Sequence, residues 1–147
     1  MSLLRFSVAG VLQLTLCAAA CLAASTPNFS GTWTLDASAS KLHTSPKTVN
    51  LVIKHQDPNM EVETTTPGLK DRRSYKLDGV KRKEDVSGIE MELCAKWKDS
   101  SLETRADAAG MTQVDIWQLQ DGGKTLSINR TVSGMVSLKE LLIYRKH

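Results

Sequence analysis

The sequence predicts an all-β protein, an antiparallel up-and-down meander β-barrel of about 8–10 strands, with a two-sheet β-sandwich as the alternative. About ten short segments alternate apolar and polar residues between turn signals such as Asp57-Pro58-Asn59 and Asp121-Gly122-Gly123. No segment after the N-terminal leader sustains helical periodicity, so no helical layer is expected to cover one face of a sheet. Short loops make consecutive strands neighbours, and closing such a meander into a barrel removes its two long edges.

Residues 1–24 have the features of a cleaved secretory signal peptide. Arg5 is their only charged residue, and the apolar run that ends in Leu22-Ala23-Ala24, before Ser25, predicts a cleavage site. The run is short for a membrane span, and its alanine-rich end favours cleavage. Ala18-Ala19-Ala20-Cys21 also resembles a bacterial lipobox, so lipidation of Cys21 is an alternative. The predicted location is therefore periplasmic or secreted, or anchored to the envelope by a lipid on Cys21.

Residues 25–147 are predicted to form one barrel domain. Removing Arg5 from the 19 Lys and Arg residues leaves 18 against 16 acidic residues, a balance that predicts neither a nucleic-acid partner nor an anionic membrane surface. Cys94 is the one cysteine of this range, so no internal disulfide is expected. It shares the parity of Glu92 and Lys96, which predicts an outward, unpaired thiol without a nucleophilic or redox role.

Catalytic and metal-binding signatures are lacking in the sequence. It contains no Gly-x-Ser-x-Gly, no phosphate-cradling loop and no His-Glu-x-x-His. The three histidines, at positions 43, 55 and 147, lie far apart and match no zinc spacing. We therefore expect no enzyme activity, no metal and no cofactor.

The first predicted strand carries one apolar side. Phe29, Gly31, Trp33 and Leu35 share one parity, which places a Phe, a Trp and a Leu on the same face. Gly31 leaves space beside the indole for a close approach of another backbone. Trp33 is thus predicted to be a structural residue that closes one end of the barrel.

This segment also carries a family resemblance. Gly31-Thr32-Trp33 resembles the N-terminal motif of the lipocalins and fatty-acid-binding proteins, the calycin group. Its position after a leader, within Phe29-Ser30-Gly31-Thr32-Trp33, is similar to that in secreted bacterial lipocalin-like proteins. The resemblance covers about residues 28–146, and it implies a barrel that holds a small molecule. Such relatives place an Arg and a Tyr inside near the chain end. Here Tyr144 and Arg145 are adjacent and must point to opposite faces. The inward Arg and Tyr of these relatives therefore cannot both be assigned directly to these two residues.

Parity also predicts which side chains face the lumen. The predicted inward set consists of Leu51, Ile53, Met60, Val62, Tyr75, Met91, Leu93, Trp97, Trp117, Leu119, Ile128 and Leu142. A barrel of this size is either filled by side chains or holds one small ligand. The candidate ligand-binding residues are Ile53, Tyr75, Met91, Trp97, Trp117, Ile128 and Arg130.

Five polar residues share the inward parity. They are His55, Arg73, Asp115, Arg130 and Glu140. In the middle of a barrel such groups must be paired, whereas near a rim they are solvated. Arg130 would meet the carboxylate of a ligand or an internal partner, Asp115 or Glu140, or it would lie at the solvated rim.

The resulting functional hypothesis is an exported, non-catalytic protein that binds a small apolar or amphipathic ligand. The alternative is a filled barrel that acts as a structural or interaction module of the cell envelope. A connected apolar cavity of ~300 Å³ or more would favour binding, and a filled core would favour the interaction module.

Overall fold

The computed structural model describes residues 25–44 and 46–147, which form ten β-strands. The leader, its cleavage site and Cys21 lie outside the described residues. The strands are β1 (Gly31–Leu35), β2 (Asn50–Gln56), β3 (Asn59–Thr66), β4 (Leu69–Lys76), β5 (Arg82–Val86), β6 (Ile89–Lys98), β7 (Ser101–Ala108), β8 (Met111–Gln120), β9 (Thr125–Ser133) and β10 (Leu138–Lys146). A short 3₁₀ turn, Asp121–Gly123, joins β8 to β9.

All ten strands belong to one antiparallel sheet in the order β4-β3-β2-β1-β10-β9-β8-β7-β6-β5. The first strand pairs with the last, so that Trp33 lies opposite Lys146. The two end strands, β4 and β5, approach each other without a backbone ladder, and there the backbone N–H of Ser74 donates to Glu84 Oε2 at 3.2 Å. The predicted meander barrel is confirmed, with an incomplete seam between β4 and β5. A single continuous sheet is incompatible with the sandwich alternative.

The strand alternation places the apolar residues inside. In β2, Leu51 and Ile53 are buried while Val52 and Lys54 between them are exposed. In β6, Leu93 and Ala95 are buried, so Cys94 between them points outward, where it is half-buried and unpaired. Every member of the predicted inward set is buried or packs against the buried core.

Phe29 and Trp33 plug one end of the barrel. Both side chains have 0% exposure, and Trp33 Nε1 donates a hydrogen bond to the carbonyl of Phe29 at 3.0 Å. The ring of Phe29 stacks on His55 and on Trp97, with centroids 5.8 and 5.9 Å away. This aromatic cluster fills the closed end.

The space beside Gly31 is occupied by a side chain, which corrects the expectation of a backbone approach. A Cβ at Gly31 would lie 2.6 Å from Lys146 Cε, and the Lys146 ammonium lies 5.3 Å from the centre of the Trp33 ring. The lysine stem therefore crosses the glycine and places its charge over the indole, a cation–π arrangement.

The other end of the barrel carries the β1–β2 connection, residues 36–49. Its described residues form turns, bends and an isolated bridge between Lys41 and Leu141. Glu140 Oε1 accepts hydrogen bonds from the backbone N–H groups of His43 and Thr44, at 2.8 and 3.0 Å. These contacts fasten the loop to β10 at the mouth of the lumen.

Candidate functional site in the barrel lumen

The half of the barrel nearest the 36–49 loop is hollow. Its main cavity has a volume of ≈240 Å³. Leu51, Val62, Trp117, Ile128 and Leu142 form the apolar part of its wall, and Pro46 and Val49 belong to the loop at the mouth. The polar side chains of the wall are Thr64, Thr66, Asp71, Arg73, Tyr75, Gln113, Asp115, Arg130 and Tyr144.

A second cavity of ≈140 Å³ adjoins the first. Met91, Ala106 and Met111 line it, and the two cavities share Arg73 and Gln113 in their walls. Neither volume reaches the ~300 Å³ that would by itself favour ligand binding. The lumen is nevertheless not filled, and its size suits a small ligand.

Trp117 forms the floor of the main cavity. Its indole contributes to the cavity wall, and its ring also meets Phe29 edge-on, with centroids 6.1 Å apart. Trp117 Nε1 donates to Thr104 Oγ1 at 2.9 Å, which fixes the orientation of the ring. The aromatic cluster at the closed end and the cavity above it therefore meet at this residue.

The structure places five of the seven candidate ligand-binding residues on the walls of these two cavities. Tyr75, Trp117, Ile128 and Arg130 line the main cavity, and Met91 lines the smaller one. Ile53 and Trp97 lie outside these two cavities. Ile53 pairs with Gly31 near the closed end, and Trp97 stacks there on Phe29. Parity identifies the side of the wall correctly for both residues, but it does not give their height along the barrel.

Arg130 has an internal partner, one of the alternatives expected for it. Its Nε and Nη2 donate to Asp115 Oδ1 and Oδ2 at 2.9 and 2.8 Å, and Gln113 Nε2 donates to Asp115 Oδ2 at 3.0 Å. Burial alone lowers the pKa of Arg130, but the charge and hydrogen bonds of Asp115 outweigh it and raise the pKa above its ordinary value. This bidentate pair is satisfied and electrically neutral as a unit.

Asp71 and Arg73 form a second, looser pair on β4. The shortest contact of the pair joins Arg73 Nη2 to Asp71 Oδ2 at 3.5 Å, which is longer than a good hydrogen bond. Asp71 Oδ1 and Arg73 Nε are buried and have no hydrogen-bond partner within the described part of the chain. Each of these two atoms can therefore still form a hydrogen bond. Leaving a buried polar group unsatisfied costs about 1–3 kcal/mol.

Two buried tyrosines add neutral hydroxyl groups to the wall. Burial raises the pKa of Tyr75, although the nearby positive charge of Arg73 acts in the opposite direction. Burial also raises the pKa of Tyr144 to about 12, although the nearby positive charge of Arg130 acts to lower it. Both phenols therefore stay protonated at neutral pH and can donate or accept hydrogen bonds.

His55 lies with the aromatic cluster at the closed end and makes structural contacts. Its Nδ1 accepts a hydrogen bond from the backbone N–H of Phe29 at 3.2 Å, which leaves Nε2 to donate to Asp57 Oδ1 at 3.1 Å. The hydrogen bond with His55 lowers the pKa of Asp57 below its ordinary value. The imidazole thus connects the segment before β1 to the end of β2.

Asp71, Gln113 and Tyr144 line the cavity but were not predicted as candidate site residues. Asp71 shares the parity of Arg73, and Gln113 shares that of Asp115, so the alternation contained a signal for both. Tyr144 lies inside, with Arg145 on the outer face, as adjacent positions in a strand require.

In residues 25–44 and 46–147, no group of three or more His, Cys, Asp or Glu side chains is arranged to hold a metal ion. The same residues include no helix that is both long and apolar enough to cross a membrane.

The barrel is similar to several solved structures. A REP1-NXSQ fatty acid transporter matches with a TM-score of 0.63 and 13% identity over 81% of this chain and 96% of its own. A secretory abundant heat soluble protein from Ramazzottius varieornatus matches with a TM-score of 0.66 and 12% identity over 83% and 98%. Fatty-acid-binding protein 1 from Echinococcus granulosus matches with a TM-score of 0.61 and 15% identity over 80% and 96%.

No family model and no curated protein matches the sequence. Identities this low show a common fold and nothing finer. The chain therefore has the barrel fold of the fatty-acid-binding proteins, in agreement with the calycin resemblance of its Gly31-Thr32-Trp33 segment.

Proposed function

We propose that this protein is a non-catalytic carrier that binds a small apolar or amphipathic molecule in the lumen of its barrel. The observation that carries the proposal is the ≈240 Å³ cavity, which combines an apolar wall with a few convergent polar groups. Proteins of the same fold are described as a fatty acid transporter and a fatty-acid-binding protein, which agrees with such a role.

The cavity volume limits the size of the ligand. A water molecule occupies about 30 Å³ in the liquid, so ≈240 Å³ corresponds to about eight water molecules. A ligand with a chain of about eight carbon atoms matches this volume, and part of a longer one would emerge at the mouth.

A blocked lumen tests the proposal. Thr64 lines the cavity, whereas its neighbour Thr65 is exposed on the outer face of the same strand. A Thr64→Trp protein should lose binding of a neutral environment-sensitive fluorophore such as N-phenyl-1-naphthylamine, while the matched control Thr65→Trp should bind it like the wild type. Equal binding by both variants, or no binding by the wild type, contradicts a site in the lumen. Native mass spectrometry of freshly purified protein provides a second measurement, a carried-over ligand.

We further propose export, based on the features of residues 1–24. In a bacterial host, the mature protein should occur in the periplasm or medium and begin at Ser25. Intact-mass measurement of the exported protein distinguishes this outcome from an N-terminal lipid on Cys21. Retention of the complete leader on a cytoplasmic product would contradict both forms of export.

The alternative function as an interaction module is favoured by one observation. Leu69, Ile89 and Met135 are exposed at or beside hairpins that the up-and-down topology places at the mouth end. Light scattering across a concentration series tests for self-association through this end. We prefer ligand binding because an interaction module has no need of a hollow lumen.

A further inference from the structure

The two ion pairs in the lumen differ in how completely they are satisfied. Asp115 and Arg130 share two hydrogen bonds, at 2.9 and 2.8 Å, and Gln113 donates a third to the carboxylate. Asp71 and Arg73 approach only to 3.5 Å, and each retains a buried polar atom without a partner. Both pairs line the same cavity, so the looser pair is the part of the wall that has hydrogen bonds left to make.

The position of the looser pair suits a ligand head group. In β4, Asp71 lies opposite Thr64 and Arg73 lies opposite Val62, and Leu69 at the start of the strand also lines the cavity. Arg73 belongs to the walls of both adjoining cavities. An apolar tail can therefore extend toward Ile128 and Trp117 while a polar head remains at Asp71 and Arg73, nearer the mouth.

The chemistry of the pair selects among head groups. A carboxylate would accept from the Arg73 guanidinium but would meet the like charge of Asp71, and an ammonium group would be repelled by Arg73. A carboxamide or a hydroxyl group both donates and accepts, so it can satisfy Asp71 and Arg73 together without adding charge. Rotation of the Asp71 carboxylate about its last torsion, which has broad wells, presents either oxygen to the ligand.

We propose that the lumen selects neutral amphiphiles whose head group donates one hydrogen bond and accepts another, with primary carboxamides and alcohols as the favoured class. Asp71 accepts from this head group and Arg73 donates to it. The inference rests on the proposed function, since it assigns the ligand class of the same cavity. It also assigns Arg130 to the internal pair with Asp115 rather than to an anionic ligand.

A series of probes with one tail tests the selection. Octanamide, 1-octanol, octanoate and octylammonium share an eight-carbon chain and differ in the head group. Their affinities for the wild-type protein are measured at neutral pH by displacement of a lumen-bound fluorophore and by calorimetry. Octanamide and 1-octanol should each bind at least about tenfold more tightly than either charged probe.

Charge-removing variants assign the selection to the pair. Asp71→Asn should strengthen octanoate binding relative to octanamide, because Arg73 then lacks a counter-charge. Arg73→Gln should strengthen octylammonium binding for the converse reason. Asp107→Asn is the matched control, since Asp107 forms an i, i+2 pair with Arg105 on an exposed surface, with Arg105 Nε 2.8 Å from Asp107 Oδ2. It should leave the order of affinities unchanged.

The possible outcomes separate this inference from the proposed function. If none of the four probes binds, and the fluorophore is not bound in the lumen, the proposed function fails and this inference fails with it. If the probes bind but octanoate equals or exceeds octanamide in the wild type, the lumen is a binding site and the inference alone is wrong. The wild-type series gives this answer even if a charge variant does not fold. An unchanged order of affinities in folded Asp71→Asn and Arg73→Gln proteins would also overturn the roles assigned to these residues.

Discussion

At the scale of single residues, Trp33 shows how a short motif determines local structure. The side chain is completely buried, its Nε1 is bonded to the carbonyl of Phe29, and the Lys146 ammonium covers its ring. Each contact comes from a different part of the chain, so the indole joins the segment before β1 to the final strand. A residue with these contacts is expected to contribute to stability rather than to ligand recognition.

Replacing Trp33 by Ala should reduce the free energy of unfolding by roughly 3–5 kcal/mol, as in other buried aromatic-to-alanine changes. Trp33→Phe keeps most of the apolar volume but removes the indole N–H, so its loss should be smaller. Urea denaturation followed by far-ultraviolet circular dichroism measures both values. A loss below about 1 kcal/mol for Trp33→Ala is inconsistent with the role assigned to this side chain.

Gly31 provides a second prediction at this scale. Its φ is +144°, a backbone conformation that side chains with a Cβ rarely adopt, and Lys146 Cε occupies the space where a Cβ would lie. Gly31→Ala should destabilise the protein by roughly 1–3 kcal/mol through backbone strain. The lysine stem is flexible, so the same loss should occur in a Lys146→Ala background. If the loss disappears in that background, steric contact with Lys146 is the cause and backbone strain is not.

At the scale of elements, the 36–49 loop depends on a buried carboxylate. Glu140 on β10 is 5% exposed and accepts the backbone N–H groups of His43 and Thr44. Glu140→Ala should reduce the free energy of unfolding by about 1.5–3 kcal/mol, the range for hydrogen bonds to a charged group. Glu140→Gln keeps an acceptor oxygen and should lose less. Equal stability of the alanine variant and the wild type in a denaturation experiment would exclude this role for the carboxylate.

The start of the same loop should show a pH dependence. Hydrogen bonds from Ser38, from the backbone N–H of Ala39 and from Arg145 lower the pKa of Asp36 from 3.8 to about 2. A carboxyl group with a lowered folded-state pKa stabilises the protein above its unfolded pKa, and this contribution is lost as the pH falls toward 2. The stability difference between wild type and Asp36→Asn should therefore be present at pH 5 and decline toward pH 2. Asp99→Asn, on a hairpin at the opposite end, serves as the control, and a difference that does not change with pH contradicts the prediction.

The sequence predicts elements better than it predicts the site. The strands Ile89–Lys98 and Met111–Gln120 begin directly after Ser87-Gly88 and Ala109-Gly110, and turn residues also follow them, at Asp99-Ser100 and at Asp121-Gly122-Gly123. Strand alternation gives Trp97 and Trp117 the same inward assignment, although one lies in the aromatic cluster and the other on the cavity wall. The two-residue alternation of side chains distinguishes the two faces of a sheet. The position of a residue along the barrel axis depends instead on the register between neighbouring strands.

The charged residues of the lumen illustrate the same limit. Parity places Asp115 and Arg130 inside, but their pairing follows from the register of β8 and β9, which sets these two residues opposite each other. Asp71 and Arg73 are near each other in sequence, yet nothing in their spacing distinguishes a loose pair from a hydrogen-bonded one. That distinction depends on the packing of side chains from several strands.

At the scale of the whole molecule, the barrel closes everywhere except between its two end strands. The ladder runs without a break from β4 through β1 and β10 to β5, so these two strands retain edge groups that face each other. Ser74 on β4 directs its backbone N–H across this seam to the carboxylate of Glu84 on β5. One side chain therefore supplies a hydrogen bond where a backbone carbonyl would serve in a complete ladder.

Hydrogen exchange measured residue by residue by NMR should reveal this seam. Amide direction alternates along a strand, so Arg72 and Ser74 point their N–H groups toward the seam while Arg73 points toward β3. The backbone amide hydrogen of Arg73 should exchange slowly and that of Arg72 should exchange quickly. The amide of Ser74 should exchange at an intermediate rate, because Glu84 accepts its hydrogen bond. In a Glu84→Ala protein the exchange of Ser74 should accelerate toward that of Arg72, whereas Glu84→Gln, which keeps an acceptor, should change it less. If Ser74 and Arg72 both exchange as slowly as Arg73 in the wild type, β4 and β5 are joined by a backbone ladder in solution and the barrel has no seam.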